Sequence, residues 1–145
     1  YLSQLSPYLY HHKQYEQAYN SYLKCVDICQ QLMDKDNLAR MVHGLGMTCT
    51  QLKKWDEAQA NFERALKLYT ELEQISNQVW IRHCIGWLNV KRRNIKKGIE
   101  LLEDAYQEAQ TMLLNSPRRD LLLTGIQKDL EEARSQLDSV LSTSP

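Results

Sequence analysis

Apolar positions in this chain recur at steps of three and four residues, the spacing of one buried helical face, and the whole pattern repeats after 40 residues. Leu5, Leu45 and Ile85 fall in one column, Tyr15, Trp55 and Ile95 in the next, then Ala18, Ala58 and Gly98, then Tyr22, Phe62 and Leu102, then Cys25, Ala65 and Ala105. Each column keeps one size class, which is what two helices require when they cross closely at a small residue with a bulky neighbour beside it. Gly46 and Gly86 form a further small pair. Lys53-Lys54-Trp55-Asp56 and Arg93-Asn94-Ile95 interrupt the apolar rhythm and predict tight turns, so each repeat reads as a helical hairpin. Asp36, Ser76 and Ser116 precede helical patterns as oxygen-bearing caps, placing helix starts at 37, 77 and 117, with Pro117 suited to a first helical position. The chain then divides into an incomplete first repeat over 1–35, repeats over 36–75 and 76–115, and a capping helix over 116–145.

Leu45-Gly46, Cys49, Ala58, Phe62 and Ala65 resemble the tetratricopeptide repeat signature, in which a small pair on one helix packs against an Ala and an aromatic on the next. Ile85-Gly86, Gly98, Leu102 and Ala105 repeat it, and Leu5, Ser6, Ala18, Tyr22 and Cys25 form a weaker copy, so the resemblance covers roughly residues 1 to 115. The period exceeds the ~34 residues of the commonest form. It is similar to the longer-helix subclass found in polarity adaptors of the G-protein modulator type, in peptide-sensing bacterial regulators and in sensor arrays of signal-transducing ATPases. The resemblance implies an all-α, right-handed superhelical solenoid of antiparallel helix pairs with a long C-terminal capping helix.

The two ends depart from the pattern. Pro7 falls inside the first helix of the first copy, which predicts a start near Ser6 or a kink there. By phase that helix starts before Tyr1, and a start at Tyr instead of Met fits an excised piece of a longer chain. At the other end Leu122, Ile126, Leu130, Ala133, Leu137 and Leu141 make one uninterrupted stripe. It reads as a helix that covers the last repeat's open face, or alternatively as a dimerisation helix spanning 117–141.

In the family the first helix of each hairpin lines a concave groove. Projected onto this chain, the groove-facing residues are Arg40, His43, Met47 and Gln51, then Trp80, His83, Trp87 and Lys91, each set on one helical face. Such a groove is aromatic and soft with a basic rim, and Trp and Arg dominate binding energy at scanned interfaces. The alternative places Trp80 and Trp87 between neighbouring repeats. The carboxylate clamp of chaperone-binding members has Gly44, Trp80 and Cys84 at its positions here, and the peptide-holding Asn of other members is replaced by Met47 and Trp87. Both replacements favour an apolar partner surface or helix.

Composition agrees with helices: five Gly and three Pro in 145 residues supply few turn formers for an all-β fold. Eighteen basic residues balance 18 acidic ones, so nucleic acid or anionic lipid would have to be held by a local cluster. One cluster exists: Lys91, Arg92, Arg93, Lys96 and Lys97, followed by Glu100, Glu103, Asp104 and Glu108, whose spacing allows intrahelical pairs such as Lys96 to Glu100, though in the weaker basic-before-acidic order. It reads as a solvated face or as a patch for nucleic acid or an acidic or phosphorylated partner. No apolar run of about 18 residues exists to cross a membrane. Cys25, Cys29, Cys49 and Cys84 lack the spacing of metal ligand pairs and read as reduced, buried thiols, which points to a cytoplasmic setting.

No constellation supports catalysis. His11 and His12 diverge, and His83 beside Cys84 lacks an orienting carboxylate in the sequence. The expectation is a non-catalytic adaptor, scaffold or sensor without metal or cofactor that binds a protein or peptide partner.

Overall fold

Five residues with left-handed backbone set the frame of the molecule. Lys13, Met33, Lys53, Glu73 and Arg93 have φ between 56° and 75° and recur at every twentieth position. In this computed structural model, which describes residues 2–112 and 115–142, each of them ends a helix. At the second of these turns the Met33 N–H donates to Gln30 O at 3.2 Å and the Asp34 N–H to Cys29 O at 3.0 Å. These two bonds define a Schellman motif, which satisfies carbonyls that a helix end leaves without partners. Lys53-Lys54 and Arg93-Asn94 make the same pair of bonds. The turns lack Gly altogether, and the left-handed conformation costs an ordinary residue roughly 1–2 kcal/mol.

Seven helices lie among the described residues: α1 (Leu2–His11), α2 (Tyr15–Gln31), α3 (Lys35–Gln51), α4 (Trp55–Glu71), α5 (Ile75–Lys91), α6 (Ile95–Met112) and α7 (Arg119–Ser142). The fold is all-α, with helices packed sequentially in antiparallel pairs, and α7 is the longest at 24 residues.

Helix starts differ from the sequence expectation. The cap of α3 is Asp34, not Asp36: its carboxylate accepts the Asn37 N–H at 3.2 Å, and the helix begins at Lys35. The preceding Schellman turn has already reversed the chain at Met33, so no residues remain to delay the start to 37. At the equivalent place in α5, Gln74 makes no side-chain bond to the backbone of the helix, and its Oε1 instead accepts from Asn77 Nδ2 at 2.7 Å. The helix starts at Ile75, and Ser76 lies inside it. Ser116 closes a turn, its Oγ accepting the Arg118 N–H at 3.2 Å, so Pro117 stays outside α7, which begins at Arg119. α1 does not start at Ser6; it runs through Pro7 from Leu2. Pro7 therefore costs one helical hydrogen bond, from the N–H it lacks, in the turn that begins at the exposed Ser3.

The chain divides into two compact units, one ending at Glu73 and the other starting at Gln74. In the first, α2 packs on α1 and α3, and α3 on α4. The repeated small residues are where the helices touch: a Cβ on Gly46 would stand 2.8 Å from the Phe62 ring, and Ala18, Ala58, Ala65 and Phe62 are fully buried. Full burial of a side chain such as Phe62 is worth about 1.5–3 kcal/mol. Ser6, also fully buried, is satisfied by Ser21 Oγ at 2.6 Å. Buried Thr50 bonds back to Gly46 O at 2.9 Å, so neither hydroxyl is left without a partner.

In the second unit α5 pairs with α6, and α7 lies on α6 while also touching α5. Leu102, Ala105 and Ala109 of α6 meet Leu122, Ile126, Leu130 and Ala133 of α7 in one core. The α7 stripe is thus occupied over most of its length. It ends early, with Leu137 half-buried and Leu141 56% exposed, because α6 has 18 residues against the 24 of α7 and leaves the last turns without a surface to cover. Gly98 lets α6 approach the α5 backbone closely, since a Cβ there would stand 2.9 Å from Gly86 O and from Val90 N. No helix among the described residues is long and apolar enough to cross a membrane.

Candidate binding site between the fifth and seventh helices

α5 turns Trp80, His83, Trp87 and Lys91 toward one side by their spacing of three and four, and α7 decides what they meet. His83 Nε2 lies 2.5 Å from Asp129 Oδ2. A carboxylate only accepts, so Nε2 carries the proton and donates. The other ring nitrogen, Nδ1, is buried with no hydrogen-bond partner. One turn further along α5, the Lys91 ammonium sits 5.7 Å from the centre of the Trp87 ring, within the range of a cation–π contact.

A cavity of about 230 Å³ opens beside these residues, lined by Trp87, Lys91 and Arg93 on one side and by Asp129, Glu132 and Gln136 of α7 on the other. An aromatic wall, two cations and two carboxylates therefore converge on one concave surface. The three α7 residues share one helical face through steps of three and four, next to the buried stripe of Ile126, Leu130 and Ala133. Sequence analysis singled out only the apolar stripe of this helix and none of these carboxylates. Their phase relative to the apolar stripe was the signal that places them at its edge.

The other expected residues are distributed differently. His43, the counterpart of His83, does not line an open groove: it is buried in the α3–α4 hairpin, with Nδ1 3.4 Å from Tyr69 OH and its ring edge-on to Phe62 and Tyr69. Its position relative to α4 puts it on the packed flank of α3, a rotation that spacing within α3 alone does not fix. Gln51 donates to Tyr10 OH at 3.3 Å, toward α1. Arg40 is exposed, with a 3.3 Å bond to Asn37 Oδ1, Met47 is half-buried, and Trp80 is 38% exposed.

The basic cluster is also reshaped. Lys91 and Arg93 line the cavity, whereas Lys96 and Lys97 are exposed on α6. The allowed Lys96–Glu100 pair is not formed; ion pairs in this unit among the described residues include the inter-helix Arg82–Glu108 bridge at 2.7 Å. The basic-before-acidic order disfavours the intrahelical pair.

Asp129 supplies the orienting carboxylate that the sequence did not reveal beside His83, but the neighbouring Cys84 is not poised as a nucleophile. Burial pushes the Cys84 thiol well above the usual range, and the charge of Asp129 pushes it further the same way. Burial likewise raises Cys49 to about 12 and raises Cys29. A thiol held protonated is a small apolar side chain, not a nucleophile. His12 bonds to Tyr8 O at 2.9 Å and stacks on the Tyr8 ring, while His11 turns its edge to Tyr10, so the adjacent histidines do diverge.

Comparison with known proteins agrees with this architecture. The family model of the tetratricopeptide repeat matches residues 2–71. A search of the curated proteins finds no match. Among solved structures, the crystal structure of BtubC (BKLC) from P. vanneervenii superposes with a TM-score of 0.69 over 99% of this chain, at 16% identity. The chain spans 64% of the length of that protein, and the likeness is one of fold. Tetratricopeptide repeats are generally protein–protein interaction modules and typically non-catalytic.

Proposed function

We propose that this chain is a non-catalytic module that holds a segment of a partner protein on the α5–α7 surface, with Trp87 as the anchor. One observation carries the reading: the cavity beside Trp87 presents Lys91 and Arg93 opposite Asp129 and Glu132. A polypeptide segment offers an apolar side chain for the indole together with charges of both signs, and buried aromatic anchors with a charged rim are the usual energetic layout of such contacts. A polyanion is disfavoured at the same surface, because the two carboxylates would repel the phosphates that Lys91 and Arg93 attract.

A photo-crosslinking residue introduced in place of Gln136, in the chain expressed in its native host, tests the reading. Polypeptides crosslinked at this position should be lost on Trp87→Ala while the helical circular dichroism stays unchanged. An unchanged set of crosslinked polypeptides would remove Trp87 from the function. Crosslinks to nucleic acid that weaken steeply with salt would transfer the role to the basic cluster of Lys91, Arg92, Arg93, Lys96 and Lys97.

A further inference from the structure

The glycines of this chain follow a packing rule that one of them breaks. All five lie inside helices, and four are met by a bulky side chain. A Cβ on Gly44 would stand 2.4 Å from the Tyr22 ring, on Gly46 2.8 Å from the Phe62 ring, on Gly86 2.9 Å from Leu102 and on Gly98 2.5 Å from Val90. At these places a neighbour occupies the room that a side chain would need. Gly125, inside α7, is different. Among the described residues the nearest atom of another helix is His83 Cε1, 3.6 Å from where the Cβ would be, which is an ordinary van der Waals distance. Alanine would fit there and is the better helix former in a helix interior, so packing within the chain does not account for the glycine.

The space at Gly125 opens onto the cleft between α5 and α7. Its neighbour within reach is on α5, and Gly125 shares a face of α7 with Asp129, Glu132 and Gln136 through steps of four, three and four. The two helices run side by side in the same direction, as Arg118 donating to Asn77 Oδ1 at 2.9 Å and His83 donating to Asp129 record. Trp80, 38% exposed, stands one turn before His83 on the same face of α5. Past the His83–Asp129 bridge, the cleft therefore continues from the Trp87 cavity to a second hollow, with Trp80 at its wall and Gly125 at its floor. Charge changes sign along it: Asp129 and Glu132 flank the stretch from His83 to Trp87, and Lys91 and Arg93 lie beyond Trp87.

Resting on the assignment of Trp87 as the partner's anchor, we infer that the segment held in this cleft is an amphipathic helix with a leucine-sized side chain seated on Gly125 beside Trp80. It lies antiparallel to α5 and α7, as α6 does. Trp80 and Trp87 are seven residues apart on α5, about 10 Å along its axis, which matches two anchors seven residues apart on a facing helix. The occupant fills Gly125 as Phe62 fills Gly46 and Leu102 fills Gly86. Charge complementarity sets the rest of its chemistry: the first turn meets Lys91 and Arg93 and is acidic, and the turn between its anchors meets Asp129 and Glu132 and is basic. An acidic first turn also suits the positive end of the helix dipole.

The probe is a fluorescent, lactam-stapled, alanine-based helix of about four turns, with glutamates in its first turn, leucines seven residues apart and an arginine midway between them. Titration with the full chain should give a saturable rise in anisotropy. Gly125→Ala should raise the melting temperature yet weaken binding about threefold or more, and Gly125→Leu should weaken it about tenfold or more, with helical circular dichroism retained in both. A glycine needed only for folding would not move stability and binding in opposite directions. Glu132→Lys should weaken binding, and a peptide with glutamate in place of the arginine should recover it. Absence of saturable binding, undiminished binding by Gly125→Leu, or equal binding of a peptide interrupted by proline each overturns the inference. Release of the peptide by Trp87→Ala but not by Gly125→Leu overturns it too, and leaves Trp87 standing as the anchor. Light scattering is the second readout: a dimer dispersed by Gly125→Leu would give the cleft to a second copy of this chain, which likewise overturns it.

Discussion

His43 and His83 occupy the same place in consecutive hairpins, 40 residues apart, and do different things. His43 is inside the α3–α4 hairpin, edge-on to Phe62 and near the Tyr69 hydroxyl. His83 faces out of its hairpin to a carboxylate on α7, and Trp87 one turn later opens onto a cavity. The α6 residue at the place of Tyr69 is Ala109, which offers no hydroxyl and no ring. The repeat therefore determines where a side chain sits in its hairpin, while the size of the opposing residue determines whether it turns inward or toward the next element.

The strongest way to break this comparison is to empty the packed side. Phe62→Ala should cost about 3–5 kcal/mol and Leu102→Ala about 2–5 kcal/mol, because both are fully buried and leave a cavity. A double-mutant cycle refines the point. Gly46→Ala collides with the Phe62 ring in the wild type at 2.8 Å but finds room once the ring is gone. Its penalty in the Phe62→Ala background should shrink or reverse. Denaturant melts that showed additivity within about 0.5 kcal/mol would mean the two residues do not share that space.

The next effect separates the two histidines. Asp129→Ala strips His83 of its partner and leaves both ring nitrogens unsatisfied, so a loss of about 1–3 kcal/mol is expected. Tyr69→Phe removes a long 3.4 Å bond from His43 and should cost about 0.5–1.5 kcal/mol. No measurable loss for Asp129→Ala in chemical denaturation would show that the α7 carboxylate adds nothing to the environment of His83.

These contrasts also mark what sequence carries. The columns of small and large residues located the helix crossings, and Gly46 against Phe62 and Gly86 against Leu102 are where the structure puts them. Helix periodicity found every buried residue of the α7 stripe up to Ala133. The turns were legible only as interruptions, because left-handed Lys, Met, Glu and Arg carry no residue-type signature of the kind Gly provides. The rotation of α3 about its own axis was not legible either. Spacing defines a face, and which neighbour that face meets depends on residues far away in sequence, such as Tyr69 for His43 and Asp129 for His83. Asp36 was the wrong cap for the same local reason, since two oxygen-bearing residues stand close together and only the turn at Met33 decides between them.

A smaller gain should come from the turns. Met33 is 89% exposed with φ 56°, so Met33→Gly removes the left-handed penalty without removing packing. Part of that gain is offset by the greater freedom of Gly in the unfolded chain. The net stabilisation should be at most about 1 kcal/mol, and Glu73→Gly, two turns further along the chain, should match it in thermal melts.

The smallest effect tests the caps. Asp34 accepts from both the side-chain amide and the backbone N–H of Asn37, and these bonds hold its carboxyl below the ordinary aspartate value of 3.8. A depressed folded-state value means the cap contributes fully above about pH 4, and its contribution is lost as pH falls through the folded-state value. At the equivalent start of α5, Gln74 makes no such backbone bond. Gln74→Asp should therefore stabilise the protein by about 0.5–1 kcal/mol at neutral pH, and the negative charge is also favoured at the helix N-terminus. The gain should fade on acidification below about pH 4, because the protonated carboxyl is a weaker acceptor and the unfolded chain binds the proton more readily. Asp34→Gln should show the mirror image, destabilising at neutral pH and converging on the wild type in acid. A gain from Gln74→Asp that persists unchanged at pH well below 3.8 would mean that the new side chain acts through packing and not as a charged cap.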